Sequence, residues 1–101
     1  MKIVFSVERS NYVNCPELGF TITEHNWNLN VLPKIGDIID LFPFIEEGNE
    51  NISPTIPGEC QIQDVFLAIR SEAASIQYTV SGRAWSKDGE EPFCQIDLVT
   101  P

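Results

Sequence analysis

Cys15, His25, Cys60 and Cys94 are the side chains in this sequence best suited to binding metals or to acting as nucleophile and base. Three thiolates and an imidazole would make a zinc set. Structural zinc sites, however, draw their ligands in close pairs that a turn holds ready, and no two of these residues lie within four positions of each other. A Cys/His catalytic pair can assemble in space from distant positions. His25, though, shares an alternating face with Trp27, a setting for a partly buried, hydrogen-bonded histidine rather than a base. Cys15 stands among the turn formers of residues 10–17 and is the thiol best placed to react. Cys60 and Cys94 fall on apolar faces, where a free cysteine behaves as a small hydrophobe. No serine carries a Gly-x-Ser-x-Gly context.

Charge narrows the classes further. Acidic residues number 15 against 6 basic ones, a formal charge of −9, and such a field repels phosphate backbones and anionic membranes. Direct nucleic-acid and membrane binding are therefore not expected, whereas a basic partner is allowed. Arg83 and Trp85 share a face and are of types that stack on a base or sugar ring, but the surrounding charge is against that use. The run Glu46-Glu47-Gly48-Asn49-Glu50 lacks the Asp-x-Asp-x-Asp-Gly order that wraps calcium, so it reads as a solvated acidic stretch. Glu90-Glu91 flanks a turn and needs no acid–base role. No cofactor or metal is expected.

A chain of 101 residues with 43% hydrophobic content can bury a single core without staples. No apolar run approaches the roughly 20 residues of a membrane helix, and Ser6, Glu8 and Arg9 interrupt the apolar start before a signal-peptide core forms. The three cysteines are widely separated and include no Cys-x-x-Cys pair, which fits reduced thiols, with one intramolecular bridge left open. The expectation is a soluble, cytoplasmic protein.

Ile3, Phe5 and Val7 alternate with Lys2, Val4, Ser6 and Glu8, the period of a half-buried strand. Residues 10–17 read as a loop. Phe20 and Ile22 alternate next, followed by Trp27, Leu29 and Val31 out of phase, which a β-bulge near Thr23-Glu24 or a pair of strands would absorb. Asn26, Asn28 and Asn30 then form a solvated face. Pro33-Lys34-Ile35-Gly36-Asp37 is a tight turn opening into an apolar strand through Ile39 and Leu41, ended by Pro43. Residues 46–58 hold neither period and form a long surface loop, the segment expected to be most mobile. Asn51-Ile52-Ser53 within it formally matches a glycosylation acceptor.

Residues 60–71 fit a strand, with Val65, Leu67 and Ile69 on one face. They also fit a helix, with Ile62, Val65, Phe66, Ile69 and Ala73 at helical spacing, and the strand is preferred because 71–75 makes a plausible reversal. Residues 76–85 alternate around Gly82, which marks a bend or close backbone approach. Asp88-Gly89 is a hairpin signal leading into Cys94, Ile96 and Leu98.

The order of residues 32–41, then Ile62-Gln63-Asp64-Val65, then Ile76-Gln77-Tyr78-Thr79-Val80 resembles small SH3-like β-barrel proteins of bacteria and phages. That resemblance implies a binding or adaptor role.

The resulting expectation is one all-β domain over residues 1–101. It is a small, mainly antiparallel barrel or rolled sheet of about six strands, with residues 62–74 as the alternative short helix. The expected function is a non-enzymatic interaction module that engages a protein partner or a like subunit, with Glu46, Glu47, Glu50, Asn51 and Ile52 as the candidate binding residues. An acidic inhibitor that mimics nucleic acid is the alternative, and a small thiol-dependent enzyme using Cys15 or Cys60 is a third.

Overall fold

The computed structural model describes residues 1–10, 15, 17–56, 58, 60, 63–89 and 91–101, apart from the Asp88 side chain. The loop reading of residues 11–14, 16 and 57, the place of Ile62 at helical spacing, and Glu90 beside the turn lie outside those residues. The strands are β1 (Lys2–Val7), β2 (Gly19–Glu24), β3 (Ile38–Ile39), β4 (Ile52–Thr55), β5 (Tyr78–Asp88) and β6 (Glu91–Val99). They form one six-stranded sheet in the order β3-β5-β6-β1-β2-β4, curled into a half-barrel. All pairings are antiparallel except β1 with β6, which run parallel. Among the described residues one α-helix, α1 (Val65–Ser75), is added.

Period-2 patterning places the core. Ile3, Phe5 and Val7 of β1, Phe20 and Ile22 of β2, Tyr78 and Val80 of β5, and Cys94, Ile96 and Leu98 of β6 are all buried on one face. Fully burying a side chain of this size contributes about 1.5–3 kcal/mol. Val65, Ala68, Ile69 and Ala73 of α1 and Leu41 close over that face. Trp27 and Phe44 extend it from the loops, their ring centroids 6.2 and 5.2 Å from that of Phe5.

Several expectations change. The strand preferred for residues 60–71 is helical from Val65. The deciding residue is Asp64, whose carboxylate accepts the Leu67 N–H at 3.0 Å as an N-cap, after which Ser71-Glu72-Ala73-Ala74 continues the helix rather than reversing the chain. Phe66 and Leu67 consequently face solvent. The bulge near Thr23-Glu24 is also absent, because β2 stops at Glu24. The Trp27 N–H donates to the Met1 carbonyl at 2.8 Å and the chain then leaves the sheet, with Leu29 63% exposed. Alternation there has no partner strand to use it among the described residues. Asn26, Asn28 and Asn30 are exposed, but as coil.

The Pro-x-x-Gly-Asp turn forms as read. Lys34 N–H donates to the Asp37 carboxylate at 3.0 Å, and Gly36 sits at φ 96°. Its strand shrinks to β3, however, and Phe42–Phe44 forms a 3-10 turn with proline near its start. Ile35, an apolar residue of the turn and a candidate for the core by its type, is 70% exposed, whereas Leu41 is fully buried. Residues 46–58 are not all loop, since Ile52–Thr55 pairs with β2 as an edge strand, a position that tolerates Pro54. Asp88 pairs with Glu91 in the hairpin, with Gly89 at φ 64°.

The thiols depart most from expectation. Cys15 and Cys60 are joined in a disulfide with Cα atoms 5.5 Å apart, and only Cys94 is a free cysteine, buried in β6. No described helix is long and apolar enough to cross a membrane.

Tyr78 gives the core a pH dependence. Burial first, then the negative charge of Glu72, push its phenol well above the ordinary value of 10.0. Burial likewise pushes the Cys94 thiol up from 9.0, with Arg83 opposing it. Both groups are favoured neutral in the folded chain, so the stability they contribute is intact at lower pH and declines once the unfolded chain begins to ionise. Above pH 10.0, Tyr78 is expected to cost about 1.4 kcal/mol per pH unit. Urea unfolding between neutral and strongly alkaline pH checks this. Tyr78→Phe should flatten the alkaline slope, and an equally steep slope in that variant would refute the assignment.

Candidate functional site

Residues 44–52 fold around Asn51, which is 6% exposed. Its Nδ2 donates to the Phe44 carbonyl at 2.7 Å and the Thr23 carbonyl at 3.0 Å, while its Oδ1 accepts the Glu46 N–H at 3.0 Å. The Asn51 carbonyl also accepts the Thr23 N–H at 3.0 Å. One amide thereby anchors the loop to β2 and to the 3-10 turn. Asn49 takes a left-handed φ of 60°, a conformation asparagine tolerates, and its carbonyl accepts the Ile52 N–H at 3.2 Å.

Arg70 holds the same loop from α1. Its Nε donates to the Asn49 Oδ1, and its Nη2 donates to the Glu46 carbonyl and, at 3.1 Å, to the Glu47 carbonyl. The guanidinium fork suits this use, since its donors are fixed in one plane. The Glu46, Glu47 and Glu50 side chains are left exposed. They stand on a segment that two side chains hold in one shape.

Of the five candidate residues, the structure thus displays three and buries two. Asn51 and Ile52 lie inside, and they shape the loop rather than face a partner. The Asn51 amide nitrogen is committed to two carbonyls, which removes it as a glycosylation acceptor in the folded chain. Nor is the acidic stretch the unanchored segment its composition suggested. Arg70 was missed because it lies 21–24 residues from the groups it binds, beyond any local pattern.

The remaining chemical residues are dispersed. Cys15, the expected reactive thiol, is buried in the disulfide with Cys60. His25 is exposed beyond β2 rather than half-buried. Among the described residues, no three His, Cys, Asp or Glu side chains group as a metal site would. Arg83 and Trp85 lie opposite the buried Ile96 and Cys94 in the register, yet both are exposed. Arg83 donates to the Pro33 carbonyl at 3.2 Å, and Trp85 is 57% exposed.

The chain matches no family model, no curated protein and no solved structure. A functional reading therefore rests on the geometry above.

Proposed function

We propose that this protein is a non-enzymatic interaction module whose Glu46, Glu47 and Glu50 carboxylates engage a basic surface on a protein partner or a like subunit. The supporting observation is the clasp of Arg70 and Asn51 on the loop that carries them. A loop ordered before binding loses less conformational entropy on association, so its charges contribute more of their interaction to affinity. The resemblance of residues 32–41, 62–65 and 76–80 to SH3-like proteins implies the same class of role, although Val65 opens a helix here.

Capture from lysate of the source cell tests this, comparing the wild-type chain with the triple variant Glu46→Gln, Glu47→Gln, Glu50→Gln at low and high salt. A protein retained by the wild type at low salt, and lost both at high salt and with the variant, supports the reading. Equal retention by both chains at both salts overturns it. If the retained protein binds nucleic acid and duplex DNA competes it away, the nucleic-acid mimic is the form the module takes. The Cys15–Cys60 bond bears on the setting. Disulfides persist in oxidising compartments, and in a cytoplasmic placement this one would depend on the burial of Cys15 for protection from thiol exchange.

A further inference from the structure

We propose that the face of the sheet turned away from the core carries a binding site for a small zwitterionic ligand, one that joins an ammonium and a carboxylate on a short skeleton. This site is separate from the acidic loop, and neither reading depends on the other.

A groove of about 560 Å³ opens where the parallel strands β1 and β6 end, lined by Ser6, Glu8, Arg9, Ser81, Gln95 and Asp97 among others. Its size is that of a small-molecule site. Ser6 and Asp97 are directly opposed in the register, and both alternate with the buried Val7, Ile96 and Leu98, which puts their side chains on the outer face. Asp97 is held in place. The Gln95 Nε2 donates to its Oδ1 at 2.9 Å, and its Oδ2 lies 2.9 Å from where a Cβ on Gly82 would stand. Gly82 follows a register shift in β5 at Val80, so this strand forgoes a side chain at the spot where the carboxylate rests. Oδ2 has no hydrogen-bond donor among the described residues.

The other charges around the groove are equally uncommitted. Arg9 and the Glu8 carboxylate make no hydrogen bond or ion pair among the described residues, although they line the same groove as Asp97. A simple cation would pair with the carboxylates but leave Arg9 without a counter-charge, and a simple anion would meet the repulsion of Glu8 and Asp97. A molecule carrying both charges satisfies both, with its ammonium at Asp97 and its carboxylate at the Arg9 guanidinium, where charge-assisted hydrogen bonds are strongest.

Titration of the ¹⁵N-labelled chain with glycine, β-alanine and γ-aminobutyrate, followed by NMR, tests the site, with butylamine and butyrate as single-charge controls. Saturable shifts of the Ser6, Ser81 and Asp97 amides are expected with at least one of the amino acids, and binding of both controls should be about tenfold weaker or more. Asp97→Asn and Arg9→Gln should each weaken binding by about tenfold or more. Gly82→Ala changes no charge but puts a methyl group against Oδ2, so it too should weaken binding, with the rest of the spectrum showing that the fold is kept. The site is overturned if no amino acid gives saturable shifts, if butylamine binds as tightly as γ-aminobutyrate, or if Arg9→Gln binds as the wild type does.

Discussion

Reducing the Cys15–Cys60 bond is expected to lower the stability of this protein by about 4 kcal/mol, the chain-entropy value for a crosslink closing a loop of this length. The two cysteines are 45 positions apart, and the bond ties the β1–β2 connection to the segment that leads into α1. With the bond intact, the unfolded chain cannot separate these segments, and the conformations so denied are the source of the effect. For a chain of this size the loss corresponds to a fall in Tm of about 20 °C. Thermal and urea unfolding with and without a dithiol reductant measure it. Thiol titration of the unfolded chain supplies the control, giving one reactive thiol, Cys94, before reduction and three after it. A Tm that does not move once three thiols are free would show that the crosslink adds nothing.

Replacing Asn51 should cost nearly as much. In Asn51→Ala the Glu46 N–H and the Phe44 and Thr23 carbonyls all lose their side-chain partner in a site closed to most solvent, and about 3 kcal/mol of destabilisation follows. Asn51→Asp separates hydrogen bonding from volume. It keeps the size and the acceptor for Glu46, but turns a donor of two hydrogen bonds into a carboxylate facing two carbonyl oxygens. It is therefore expected to destabilise at least as much as Asn51→Ala. Urea unfolding of the three chains decides the matter, and near-wild-type stability of Asn51→Asp would contradict the hydrogen-bonding account. Because the same amide shapes the acidic loop, both variants should also weaken any partner bound through Glu46, Glu47 and Glu50.

What could be read in the sequence was local. Ile3-Val4-Phe5-Ser6-Val7 alternates because one face is buried, and Asp88-Gly89 turns because glycine accepts a positive φ; each signal is complete within a few residues. Trp27, Leu29 and Val31 misled because alternation states only that a strand would be half-apolar, and no neighbour among the described residues pairs with it. In Asp64 the decisive signal was present but small, a single cap against several β-branched residues. The disulfide, the Arg70 clasp and the outer groove have no local signature, since each joins segments that only the folded sheet brings together. Of the groove, Gly82 alone was visible, as a place where something approaches closely.

The parallel pairing of β1 with β6 has a kinetic consequence. Lys2 lies opposite Phe93 and Val7 opposite Leu98, so the two middle strands of the sheet come from opposite ends of the sequence. The β1–β2 and β5–β6 hairpins can each form early from neighbouring residues, but the edge at which they join must wait for nearly the whole chain to be searched. Proteins dominated by such distant contacts fold in milliseconds to seconds rather than microseconds. Until that seam closes, both hairpins carry an open, apolar-faced edge, and folding at high concentration will compete with association between chains.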